Sequence, residues 1–158
     1  MIRKSIETDL ARIAEISVFT KRVAYRLIFN DDAFSFNVLT VPGVMDVLRM
    51  SLNAIWVWED SGIVKGFVHI EGDELKELYV DWFFQGDGIG TELLRFAVSR
   101  GCTFLWVLEH NEHAIRFYEK NGFYSTGEMI AWNDTGQFII KMSIKDESGG
   151  KDIYTKID

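Results

Sequence analysis

The chain has 158 residues, of which 47% are hydrophobic and 26% are charged; this composition is typical of one packed globular domain and excludes a disordered or fibrous protein. The formal net charge of −7 argues against general nucleic-acid binding, which needs clustered lysine and arginine to neutralise phosphates. Cys102 is the single cysteine, no apolar run approaches the roughly 20 residues of a membrane-spanning helix, and the first residues lack a signal-peptide pattern, so we expect a cytoplasmic protein with no membrane partner.

The first third of the chain predicts one strand followed by helices. Residues 2–6 alternate between polar and apolar, which predicts a short strand, and Thr8 and Asp9 offer N-cap oxygens to a following helix. The polar run 20–22 predicts a break or bend in that helix. Pro42 lies near the start of a second helical stretch.

From residue 54 the spacing of hydrophobic residues changes from a helical pattern to one typical of β-strands. Segments 54–59, 64–71 and 75–81 are separated by glycine-containing turns and predict an antiparallel meander. The remaining predicted elements are a helix at 88–100, an apolar strand at 103–108, a helix at 112–120 and strands at 123–132 and 137–144. We expect one domain over residues 1–145 and a C-terminal tail at 146–158.

The strongest local signal is a glycine-rich segment, residues 85–91, between a strand and a helix. Glycines there let backbone N–H groups approach an anion at the positive end of the helix, which predicts a pyrophosphate site. A tight turn with no ligand is the alternative interpretation. A dinucleotide-binding fingerprint is disfavoured, because that motif needs glycine where Thr91 stands and begins a parallel sheet rather than following a meander.

Two blocks of this sequence together resemble the GNAT superfamily of acyl-CoA N-acyltransferases. The family's pyrophosphate motif has Gln or Arg, two variable residues, Gly, one variable residue, then Gly or Ala; here it reads Gln85-Gly86-Asp87-Gly88-Ile89-Gly90. The second block, an apolar strand, an Asn and a helix ending in Phe-Tyr-Glu-Lys-x-Gly-Phe, corresponds to residues 105–111 and 117–123. Asp87 departs from the pattern, since that position is often basic, and its charge would oppose a pyrophosphate unless the side chain points away.

The resemblance implies an α/β (α+β) GNAT-like fold, with a central mixed, mostly antiparallel sheet of about seven strands, about four flanking helices and a splayed pair of parallel strands. It also implies acetyl-CoA as cofactor and coenzyme A as product. By position, the implied cofactor contacts are the strand backbone of Leu78, Tyr79 and Val80 for the pantetheine arm, Gln85, Gly86, Asp87, Gly88, Ile89, Gly90 and Thr91 for the pyrophosphate, and Asn111 for the arm. Asn111 would equally serve as a helix N-cap, and both roles can hold together.

Two residues are candidates for proton transfer. In the family a tyrosine at the place of Tyr118 often protonates the departing sulfur; the alternative is a core tyrosine, because Tyr118 shares a helical face with Ala114 and Ile115. Glu77 is a candidate base for the amine, because strand alternation places it opposite Leu78 and Val80; the alternative is a solvated glutamate. The histidines and Cys102 show no spacing typical of zinc, and Cys102 is expected to be a buried structural thiol.

The expected function is transfer of an acetyl group from acetyl-CoA to a primary amine by direct attack in a ternary complex. The alternative is an acyl-CoA-binding regulatory module without turnover. A cationic acceptor is expected, because the net charge is −7 and because Asp31, Asp32 and Glu77 lie in elements expected to border the groove. Homodimerisation through the late strands is a further hypothesis.

Overall fold

The fold is that of a computed structural model and is described for residues 1–145; the predicted tail at 146–158 lies outside the described residues. The strands are β1 (Ile2–Lys4), β2 (Ile55–Asp60), β3 (Ile63–Glu71), β4 (Glu74–Val80), β5 (Phe104–Leu108), β6 (Phe123–Trp132) and β7 (Gln137–Ile144). The α-helices are α1 (Leu10–Phe29), α2 (Val41–Arg49), α3 (Ile89–Ser99) and α4 (Glu112–Lys120). None of the helices within residues 1–145 has the length and apolar character needed to cross a membrane.

The strands form a single sheet in the order β1-β2-β3-β4-β5-β7-β6. All neighbouring strands are antiparallel except β4 and β5. This parallel pair is short, because only Glu74 with Phe104 and Leu75 with Leu105 are in register before the two strands separate. The predicted mixed sheet with a splayed parallel pair is confirmed.

Each face of the sheet is covered by helices over its own hydrophobic cluster. Neighbouring residues of β3 point to opposite faces, so Phe67 joins the cluster that contains Ile13 of α1, while Val68 joins the cluster that contains Leu93 of α3. Burial of these apolar side chains on both faces provides the main driving force for folding. It also fixes α1 and α3 on opposite sides of β4.

Helix α1 is continuous, and the predicted break at residues 20–22 is wrong. The polar side chains of this run have partners outside the helix: Lys21 donates to Glu77 Oε1 at 2.9 Å, and Arg22 donates to the carbonyl of Ser35 at 2.8 Å. Because these contacts satisfy the polar groups, the helical backbone passes through the run without interruption.

The predicted capping of α1 by side-chain oxygens is also wrong. Asp9 stands at the N-cap, but its carboxylate does not bond to the helix. It accepts instead from the backbone N–H of Ile6 at 2.9 Å and from two nitrogens of Arg3 at 2.7 and 2.9 Å. The hydrogen bonds from Arg3 hold the pKa of Asp9 below its ordinary value, in spite of burial. Asp9 therefore ties β1 to the start of α1.

Cys102 is buried beside α3 with 1% of its surface exposed. Burial, with a smaller effect from the charges of Asp73 and Glu74, raises the pKa of this thiol to about 11. Because the thiolate is the reactive form and an unfolded cysteine has a pKa near ~8.5, we expect the native protein to resist a disulfide reagent at pH 8, while the denatured protein releases one equivalent of chromophore. Rapid reaction of the native protein would contradict this assignment.

Candidate functional site

A cleft of about 1300 Å³ opens where β4 and β5 separate. Leu78, Tyr79 and Val80 of β4 lie along it and are paired on their other side with β3. Past Leu75, β4 has no register partner on β5, so backbone groups on that side face the gap. One wall of the cleft, which we call the α1 wall, consists of Thr20, Lys21, Ala24 and Tyr25. The other, the α3–α4 wall, is formed by some of the residues within segments 85–91 and 111–120.

The glycine-rich loop delivers the N-terminus of α3 to the cleft. Gly86 and Gly88 have φ of 91° and 82°, a left-handed conformation that favours glycine. Gly88 is the N-cap of α3, and a Cβ built on either glycine would meet no atom within 4 Å. The N–H groups of the first turn of α3 lack intrahelical acceptors. The loop thus presents backbone donors beside open space.

The other members of the predicted pyrophosphate segment have different surroundings. Gln85 donates from Nε2 to the carbonyl of Val80 at 3.1 Å, which ties the loop to the end of β4. Asp87 is exposed and does not line the cleft, so the structure places its side chain away from the cavity. Ile89 is buried in the core beneath α3, and Thr91 lines the cleft.

Asn111 begins α4 at the cleft wall. Its Oδ1 accepts from the backbone N–H of Ala114 at 3.3 Å, which confirms the predicted N-cap. The same side chain lines the cleft. The cap therefore orients Asn111 at the mouth of the strand gap.

Tyr118 belongs both to the core and to the cleft. Its ring packs edge-on against Phe117 and Phe123, with centroid distances of 5.2 and 5.9 Å, and 9% of the residue is exposed. It also lines the cleft. Burial, with a smaller effect from Tyr25, raises the pKa of the Tyr118 phenol well above its ordinary value. Tyr118 is thus a protonated hydrogen-bond donor throughout the neutral pH range.

Glu77 is not a solvated glutamate. It faces α1, whereas Leu78 and Val80 pack with the cluster beneath α3, as strand alternation predicts. Its Oε1 lies 2.9 Å from Lys21 Nζ, and both side chains are 19% exposed. Its Oε2 is buried and has no hydrogen-bond partner within residues 1–145. Both members of the pair line the cleft.

The Tyr79 ring lies beside this ion pair, with its centre 5.6 Å from Lys21 Nζ, and further aromatic side chains adjoin it in the cleft. The hydroxyls of Tyr25 and Tyr79 lie 3.4 Å apart, and the ring of Tyr25 packs edge-on against Trp132 at 5.8 Å. Burial raises the pKa of both tyrosines. Sequence analysis missed Lys21 and Tyr25, since no local pattern distinguishes them from other polar residues of a surface helix.

The structure corrects the expected acidic border of the groove. Asp32 forms an ion pair with Arg26 at 2.7 Å, and Asp31 accepts from the backbone N–H of Phe34 at 3.0 Å. Neither aspartate lines the cleft, which leaves only Glu77 of the three acidic residues that were expected there. The charge of Glu77 is compensated by Lys21. An acidic field from these residues therefore does not account for acceptor choice.

Comparison with known proteins shows what part of this chain is similar to. A family model described as an acetyltransferase (GNAT) domain matches residues 51–125. The chain is 37% identical over 84 residues to the peptidyl-lysine N-acetyltransferase YiaC of Escherichia coli K12, covering 52% of this chain and 56% of that protein. It is 36% identical over 63 residues to the peptidyl-lysine N-acetyltransferase YjaB of the same strain, covering 39% and 43%. The chain thus matches about half the length of these relatives.

Solved structures with the same fold include two close in size to this chain. The solution structure of apo YjaB from Escherichia coli superimposes with a TM-score of 0.73 at 22% identity, covering 90% of this chain and 95% of that one. The PaiA N-acetyltransferase from Thermoplasma acidophilum, crystallised with coenzyme A, gives a TM-score of 0.64 at 22% identity, covering 90% and 98%. Residues 51–125 thus match the acetyltransferase (GNAT) domain model, and the two sequence blocks and the splayed strand pair agree with that match.

Proposed function

We propose that this chain is an acetyl-CoA-dependent N-acetyltransferase that acts on an alkyl primary amine by direct attack in a ternary complex. The observation that carries the proposal is the convergence of four features on one cleft: the free edge of β4, the N-terminus of α3, the Tyr118 phenol and the Glu77 carboxylate. The names of the relatives YiaC and YjaB, both peptidyl-lysine N-acetyltransferases, support an amine acceptor of the lysine type.

The residues present suit a ligand with a diphosphate and an extended amide arm. Two left-handed glycines leave space in front of the first turn of α3, where unpaired N–H groups and the helix dipole favour an anion. The unpaired edge of β4 offers backbone donors and acceptors to an amide-bearing arm. When bound, acetyl-CoA would supply the acyl group as an activated thioester.

The reaction needs two proton transfers, one to the departing sulfur and one from the attacking amine, and we assign a different side chain of the cleft to each. Tyr118 Oη carries its proton at neutral pH, as an ordinary tyrosine does, and burial raises its pKa further; we assign it as the acid that protonates the departing sulfur. The Glu77 carboxylate contacts Lys21 and is a candidate to accept the proton of the attacking amine, directly or through water. The amine has to be neutral to attack, because its lone pair forms the new bond.

The pH dependence of turnover tests this function. An alkyl amine with a pKa near ~10 is only about 0.1% neutral at pH 7, so we expect kcat/KM for such an amine to rise roughly tenfold per pH unit between pH 7 and 9. Release of free thiol from acetyl-CoA, measured with a panel of alkyl amines that includes a peptide lysine, provides the assay. Binding of acetyl-CoA in a calorimeter without thiol release for any amine would instead favour the binding module.

A further inference from the structure

We propose that Lys21 is an internal occupant of the acceptor site: its ammonium lies where the ammonium of the acceptor binds before deprotonation, and the acceptor displaces it from Glu77. The inference rests on the proposed function and deepens it. It assigns the acceptor as an alkyl primary ammonium on a flexible chain, and it makes Lys21 a specificity-determining residue.

The surroundings of Lys21 Nζ are those that an alkyl ammonium requires. The nitrogen lies 2.9 Å from Glu77 Oε1 and 5.6 Å from the centre of the Tyr79 ring, within range of a cation–π interaction. The pair lies on the wall of the same cleft that holds Tyr118. The chain therefore already places one lysine amine against the carboxylate and aromatic ring of this cleft.

Among the described residues that line the cleft, the acidic side chains other than Glu77 already have basic partners, and on the α3–α4 wall Glu112 contacts Arg116 at 2.8 Å. On the α1 wall, Lys21 is the only charged residue, and on β4 the neighbouring Glu74 and Lys76 contact each other at 3.5 Å. His69 of β3, which stands opposite Glu77 in register, bonds to Glu71 at 2.9 Å. With Lys21 in place, its ammonium balances the negative charge of Glu77. A second cation therefore gains the most binding free energy if Lys21 moves away from Glu77.

The ammonium of an acceptor can replace the ammonium of Lys21 in its contact with Glu77. A lysine ammonium is a compact charge on a stem with many rotamers, so it can move from the carboxylate into the open cleft at modest cost. Glu77 Oε2 is buried without a partner in the described chain, and rotation of the carboxylate about its last torsion exchanges the two oxygens. The acceptor ammonium then gains a charge-assisted hydrogen bond to either oxygen.

Calorimetry on the full chain saturated with coenzyme A tests the inference without turnover. The probe is lysine blocked at both main-chain ends, Nα-acetyl-lysine amide, and its control is the norleucine analogue, which lacks the amine. We expect Lys21→Met, which keeps an unbranched stem and removes the charge, to bind the probe on the order of tenfold more tightly than wild type. Lys21→Arg keeps the internal cation and should show no gain in probe affinity over wild type. The norleucine analogue should not distinguish the three proteins.

A second variant keeps the test valid if Lys21→Met is unstable. Glu77→Gln removes the carboxylate for which both cations compete, and we expect at least a tenfold loss of probe affinity. Unchanged or weaker probe binding in folded Lys21→Met, or wild-type binding in Glu77→Gln, would overturn the inference. Failure of the proposed function is a separate result: the probe binds, but the wild-type enzyme releases no thiol with any amine.

Discussion

Replacement of Tyr118 by phenylalanine is expected to lower kcat by a factor on the order of 10² and to leave the affinity for coenzyme A nearly unchanged. The ring packs against Phe117 and Phe123, so phenylalanine preserves the apolar contacts and removes only the hydroxyl. Without that proton donor, the sulfur departs as an unprotonated thiolate. Because burial raises the pKa of Tyr118, the wild-type enzyme should show no loss of rate from ionisation of this phenol below about pH 10.

Tyr124→Phe provides a matched control, because Tyr124 is exposed on β6 and does not line the cleft. It should turn over as wild type does. Single-turnover measurements are needed, so that acyl transfer and not product release limits the observed rate. If folded Tyr118→Phe transferred the acetyl group at the wild-type single-turnover rate, Tyr118 would be a core residue only.

Substitution of Gly88 by valine is expected to lower the affinity for acetyl-CoA by at least about 30-fold. Space is open in front of Gly88, and a branched side chain there would occupy the region where the first N–H groups of α3 meet an anion. The left-handed φ of 82° adds backbone strain of about 1–3 kcal/mol, which lowers stability but does not by itself affect the ligand.

Gly62→Val separates these two effects. Gly62, in the turn between β2 and β3, has φ of 76° and open space around its Cβ position, but it lies outside the cleft lining. Both variants should lose similar amounts of unfolding free energy in urea titrations, and only Gly88→Val should lose the cofactor in calorimetry. Equal affinities in the two variants would remove residues 85–91 from the pyrophosphate site.

The sequence predicted most elements because their signals are local. The meander, the helix after Gly88 and the last two strands follow from hydrophobic period and turn residues, and residues 112–120, 123–132 and 137–144 have the predicted bounds. The start of α1 after Asp9 has the predicted position, but the expected hydrogen bond from the Asp9 side chain to the helix is wrong. Local chemistry makes Asp9 a good cap, but Arg3 and Ile6 bind its carboxylate instead.

By itself, the sequence determined the resemblance to GNAT acetyltransferases, the glycine-rich loop, the N-cap at Asn111 and the tyrosine that lines the cleft, because each is encoded by neighbouring residues in a fixed spacing. Only the tertiary structure decided which side chains meet between α1 and β4 in the cleft. Lys21 and Glu77 are 56 positions apart, and they meet because α1 packs across β4, a contact that depends on burial of apolar residues over the whole sheet face. For the same reason Asp31 and Asp32, which the sequence places beside the groove, have partners outside the cleft. Charge along a chain does not specify which side chains share a cavity, since pairing is set by long-range packing.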